Sequence, residues 1–94
     1  MDFLVQMEVT LDPRDAERNA ILTAAEAKRA RELAEQGILR RLWRIPGRRA
    51  NWGIWRASDA SALHEALSSL PLFAYSAITV HPLAGHPNDP GATL

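Results

Sequence analysis

Glu26 is the residue whose surroundings most invite chemistry. Leu22, Glu26, Ala30 and Leu33 follow an i, i+4, i+8, i+11 spacing, which puts a carboxylate into one apolar helix stripe. Burial there raises a carboxyl pKa and lets the group take and return a proton near neutral pH. The plainer alternative is a carboxylate at the stripe's edge, paired with Arg29 or another arginine. His64 lies beside Leu63 and one turn before Leu67, at the border of a second apolar stripe. It is either a proton shuttle or substrate donor, or a hydrogen-bonded structural histidine.

Arginines cluster at positions 40, 41, 44, 48 and 49. Arg48 and Arg49 fall in or beside a turn and read as solvated. Arg40 and Arg44 share strand parity with Leu42, and Arg41 shares it with Trp43 and Ile45. One set points inward. An inward arginine is either a carboxylate clamp, since its fork matches a carboxylate bidentately, or the partner of Glu8, Asp59 or Glu65. Trp43, Trp52 and Trp55 read first as packing groups. Asn51 and Tyr75 are polar groups in strands, held by neighbours or lining a pocket. His81 and His86 are separated by a proline-containing stretch and joined by no clustered acid, which does not suit a metal. No phosphate-binding glycine loop, nucleophile elbow or HExxH motif occurs, so no nucleotide, flavin or haem is called for.

These groups need a frame. Phe3, Val5, Met7, Val9 and Leu11 alternate with polar residues, the period of a half-buried strand. Asp12-Pro13 predicts a helix start, and the Ala, Glu, Arg and Leu-rich run continues to Gln36 with Gly37 as its stop. That helix has about 24 residues. Residues 39–46 and 50–57 read as a hairpin about Pro46-Gly47. Ser58 or Asp59 caps a second helix with Leu63, Leu67 and Leu70 on one stripe, ended by Pro71. Phe73 to His81 completes the set as a strand, and a Pro- and Gly-rich tail follows. The order βαββαβ predicts an α+β, ferredoxin-like domain: a four-stranded antiparallel sheet with two helices on one face. The expected domain covers residues 1–82, with 83–94 an irregular tail.

The 94 residues make one small domain with a modest core, so association with further copies is expected. Eleven basic and eleven acidic residues give a net charge of zero, which removes the electrostatic footprint of a nucleic-acid binder. There is no cysteine, which excludes disulfides and thiol chemistry. No apolar run reaches the length of a membrane span, and the opening Met1-Asp2-Phe3 does not resemble a signal peptide. A cytoplasmic protein is expected.

Several segments together resemble the muconolactone isomerase family. They are Gly37, Arg40, Leu42-Trp43-Arg44, Gly47, Ala50-Asn51, the run LHEALSSLPLFAY at 63–75, and His86-Pro87. The likeness spans nearly the whole chain and includes the opening strand and the Glu26 helix. It implies small cofactor-free subunits of the dimeric α+β barrel type, with dimers assembled into a homodecamer and sites at subunit boundaries. The implied reaction, in aromatic breakdown by the β-ketoadipate pathway, removes the γ-proton of an unsaturated lactone and returns a proton at the α-carbon. By the resemblance Glu26 moves the proton, with His64 as a second catalytic candidate. Asn51, His64 and Tyr75 are candidates to stabilise the dienolate, Arg40 or Arg44 holds the substrate carboxylate, and Trp43 joins the substrate-binding set. Ala27, Arg49, Gly53 and Arg56 depart from the family's usual residues. Such departures leave open a substituted lactone, a chloromuconolactone dehalogenase, or a non-catalytic oligomeric binding or scaffold protein on the same fold. A cofactor-free monooxygenase shares the fold class but not these motifs.

Overall fold

The computed structural model describes residues 1–91. Strand β1 (Asp2–Val9) leads to helix α1 (Ala16–Glu35), then strands β2 (Leu39–Arg44) and β3 (Ala50–Arg56). Helix α2 (Ala60–Ser68), a single 3-10 turn (Phe73–Tyr75) and strand β4 (Ser76–Leu83) follow. The strands form one antiparallel sheet in the order β2-β3-β1-β4, the expected ferredoxin-like arrangement.

Alternation decides which face of β1 is covered. Phe3, Val5 and Met7 are buried in one cluster with Leu33 of α1 and with Leu63, Ala66 and Leu67 of α2. Both helices therefore cover the same face of the sheet. Each fully buried side chain of this kind contributes about 1.5–3 kcal/mol relative to exposure. Leu4, Gln6 and Glu8 point to the other face, opposite Ile54, Trp52 and Ala50 of β3.

Helix α1 starts three residues later than the sequence suggests. The Asp12 carboxylate is engaged by the Arg14 backbone and guanidinium, so residues 12–15 close into a turn. Asp15 takes over as cap and accepts from the Arg18 amide at 3.3 Å. The stop at Gly37 is as expected. Its φ of +77° lets the Gly37 and Ile38 amides return to the Ala34 and Leu33 carbonyls at 3.0 and 2.9 Å.

Two further differences concern the strands. A bulge between Leu39 and Arg41 interrupts β2, so Leu39 and Leu42 both face the helices, opposite Trp55 and Gly53. Arg40 is the extra residue and drops out of the parity set it shared with Leu42 and Arg44. At the other end, Phe73 does not begin a strand. The Tyr75 amide and the Ser76 hydroxyl both donate to the Leu72 carbonyl, at 3.0 and 2.7 Å, and wind residues 73–75 into a turn. Strand β4 then runs through Pro82 to Leu83. It pairs only with β1, and an edge strand tolerates a residue without an N–H. The expected tail continues beyond it to Gly91, with its last three residues, 92–94, outside the described range.

Candidate functional site

The helix face of the hairpin, the end of β1 and the middle of α1 enclose an open cleft of about 500 Å³. Leu42, Arg44 and Asn51 supply its hairpin wall, Val9 and Leu11 its floor, and Thr23 and Leu72 the side beneath the helices. Strand register explains the polar members. Asn51 lies opposite Met7 on one side and Arg44 on the other, and Met7 faces the helices, so all three share that face.

Glu26 is not itself a lining residue but adjoins the cleft through two residues that are. Thr23, one helical turn before it, lines the cleft, and so does Leu72, whose backbone N–H donates to Glu26 Oε1 at 3.0 Å. The carboxylate is half-buried, and burial raises its pKa above the ordinary glutamate value, although the Leu72 hydrogen bond opposes the shift. Arg29 is not its partner. That guanidinium pairs with Glu32 at 3.0 Å and donates to Ser69 Oγ at 2.9 Å. Among the described residues no cation lies within ion-pair distance of Glu26. The arrangement leaves Oε2 without a partner among the described residues, in a site where a neutral carboxyl is favoured more than in water.

The other predicted residues divide. Arg44 and Asn51 line the cleft. Trp43 lies at its rim, but its register partner is Trp52, so it belongs to the face away from the helices, 44% exposed and with the Arg41 guanidinium 4.7 Å from its ring centre. Tyr75 is half-buried against the core, with Arg18 5.2 Å above its ring, and does not line the cleft. His64 is exposed on α2 and meets Phe73 edge-on at 6.0 Å, outside the cleft. Arg40 sits at the bulge near Gly37 and acts on Asp2, at the opposite end of the sheet. His64 and Arg40 are thus not among the residues that line the cleft with Arg44 and Asn51.

Arg48 and Arg49 are exposed residues of the hairpin turn, as expected, but they differ in their neighbours. Arg48 pairs with Glu8. Arg49 lines the cleft and also a second one of about 520 Å³, formed with Val9, Leu11, Pro13, Ala16 and Asn19. Asn19 Oδ1 is buried there without a partner, while its Nδ2 donates to the Asp12 carbonyl at 2.7 Å. Sequence reasoning also missed Thr23 and the Leu72 amide. The three-residue step from Thr23 to Glu26 was a usable signal; the Leu72 contact had none, because it is made by backbone.

Two departures in the 49–56 segment have local explanations. Arg56 forms an ion pair with Asp2 at 2.9 Å, remote from the cleft. Gly53 is required by close approach: a Cβ there would lie 2.8 Å from Trp55 Nε1 and 3.0 Å from Leu42 Cδ2.

Residues 1–89 match the family model described as muconolactone delta-isomerase. The chain is 40% identical to the muconolactone delta-isomerase of Pseudomonas aeruginosa over 85 residues, 90% of this chain and 85% of that protein. It is 41% identical to muconolactone delta-isomerase 2 of Acinetobacter lwoffii, covering 92% and 91%. Against the Cupriavidus pinatubonensis muconolactone delta-isomerase it is 40% identical, covering 95% and 98%. A crystal structure of muconolactone isomerase superposes with a TM-score of 0.89 at 38% identity, covering 98% of this chain and 97% of the other.

Proposed function

The chain belongs to the muconolactone delta-isomerase family, and we infer from that premise that it moves the ring double bond of muconolactone, or of a substituted relative, to give the 3-oxoadipate enol-lactone. It is an isomerase, and the reaction is a proton shift with no net gain or loss of atoms. The observation that carries the reading is Glu26: a half-buried carboxylate with raised pKa, without a cation partner among the described residues, hydrogen-bonded to the cleft residue Leu72.

In this proposal Glu26 takes the γ-proton through Oε2. The electron pair spreads through the ring double bond onto the lactone carbonyl oxygen, and the same proton returns at the α-carbon. Asn51 offers an amide N–H₂ from the facing wall to the dienolate oxygen, a donor placed where charge develops. Arg44, beside it on the sheet, supplies the cation for the substrate's side-chain carboxylate. Trp43 closes the rim. Arg40, His64 and Tyr75 have no part in this account, since none of their side chains lines the cleft or, unlike that of Glu26, hydrogen-bonds to a residue that does.

A cytoplasmic homo-oligomer is part of the same proposal. Leu4, Trp43, Trp52 and Ile54 lie on the sheet face away from the helices, which no layer among the described residues covers. A second copy would remove that apolar surface from water.

The test is to mix the purified protein with (+)-muconolactone and follow enol-lactone formation by ultraviolet absorbance or proton NMR. Rapid conversion is expected. No conversion by an intact protein would remove this substrate, and failure across a panel of chlorinated and methylated lactones would remove the isomerase function.

A further inference from the structure

Arg49 is the group in the cleft that the mechanism above leaves unused. Its carbonyl accepts from the Val9 amide at 2.9 Å, which continues the β1–β3 register and places Arg49 opposite Val9. Just before β3 and two residues from Asn51, it faces the helices as Asn51 does. Arg44 is the direct cross-strand partner of Asn51. Arg44 and Arg49 are therefore diagonal neighbours about Asn51, roughly 7–8 Å apart at the backbone and within mutual reach of long side chains. Both line the cleft, and neither has a carboxylate partner among the described residues. Arg48, one residue away, points to the other face and does have one in Glu8.

Two cations side by side without an acid repel each other, and a bound anion relieves the repulsion. We propose that Arg49 is a second substrate-carboxylate-binding residue, closing with Arg44 on one carboxylate from two sides of Asn51. The proposal rests on the lactone isomerase reading, which supplies a substrate with such a group. It also gives the second cleft a role. That space shares Val9, Leu11 and Arg49 with the first, so a substituent on the carboxylate-bearing arm would extend toward it past Arg49.

The probe is the saturated lactone acid, which lacks the ring double bond and so cannot undergo the proton shift, compared with its methyl ester. Binding of both is measured calorimetrically to the wild type, Arg49→Gln and Arg48→Gln, beside a muconolactone turnover assay of the wild type. The wild type should prefer the acid over the ester. Arg49→Gln should lose about tenfold of that preference, the size of one charge-assisted hydrogen bond, and Arg48→Gln should keep it. An acid preference unchanged in Arg49→Gln, or absent from the wild type, overturns the inference. Turnover by the wild type in that case leaves the isomerase function standing, and its absence removes muconolactone as the substrate together with this inference.

Discussion

The backbone N–H of Leu72 donates to Glu26 Oε1 at 3.0 Å, joining two residues 46 positions apart in the chain. The bond fixes the carboxylate of α1 against the segment that follows α2, and it leaves the second oxygen without a partner among the described residues. Burial makes that carboxyl a stronger proton acceptor than a solvated one, and the amide contact limits the effect.

Glu26→Gln should reduce turnover by about 10³-fold or more, toward the upper range for a single acid–base group. Glutamine still offers an acceptor to the Leu72 amide and removes the cost of burying a charge. Its melting temperature at neutral pH should therefore equal or exceed that of the wild type. A mutant that turns over normally, or that melts several degrees lower, contradicts the assignment.

The raised pKa of Glu26 has a definite sign in pH dependence. The folded chain holds this proton more tightly than the unfolded chain. Glu26 thus lowers stability as pH rises from the ordinary glutamate range through its raised folded value, and has no further effect above it. As a base it must be ionised, so kcat/KM should climb over the same window. Thermal melts and kinetics across the weakly acidic range should show opposed trends in the wild type, and Glu26→Gln should lack the Glu26 part of the stability slope.

The two arginines first singled out as carboxylate clamps should separate by position. Arg44→Leu should raise KM by about tenfold or more, since a hydrogen bond to a charged group is worth about 1.5–3 kcal/mol. Arg40→Leu, at the bulge end of the sheet, should leave KM within about twofold, as for an exposed charge. Steady-state kinetics on both variants decide the matter, and equal effects would mean that Arg40 reaches a site this chain does not form alone.

Gly53 and Trp55 should be energetically coupled. Trp55 is 3% exposed, and its indole nitrogen occupies the space a Cβ at position 53 would need. Gly53→Ser should cost about 1–3 kcal/mol by overpacking. In a Trp55→Phe background, where the smaller ring lacks that nitrogen, the same change should cost less. Denaturant unfolding of the four proteins gives the coupling directly, and strict additivity would refute it.

The element order was legible because its signals are local. Period-two alternation from Phe3 to Val9, a Gly- and Pro-free run ended by Gly37, and a leucine stripe after Asp59 each report burial on one side of one element. Helix start was misjudged by three residues because Asp12 and Asp15 are equally good caps by type, and Arg14 decides between them by occupying Asp12. Likewise nothing in Phe73-Ala74-Tyr75 excludes a strand; the turn forms because the Leu72 carbonyl accepts two donors there.

By itself the sequence determined a βαββαβ chain, its apolar faces, and a carboxylate at Glu26 within one of them, since each follows from residue type and spacing along a single element. Only the tertiary structure decided which polar groups meet. The β2 bulge sends Arg40 away and turns Arg44 toward the helices, the register of β1 against β3 sets Arg49 beside Asn51, and the packing of the post-α2 segment on α1 gives Glu26 its amide partner. Those are contacts between elements. They depend on strand register and on backbone groups that every residue carries, and neither leaves a mark on side-chain identity along the chain.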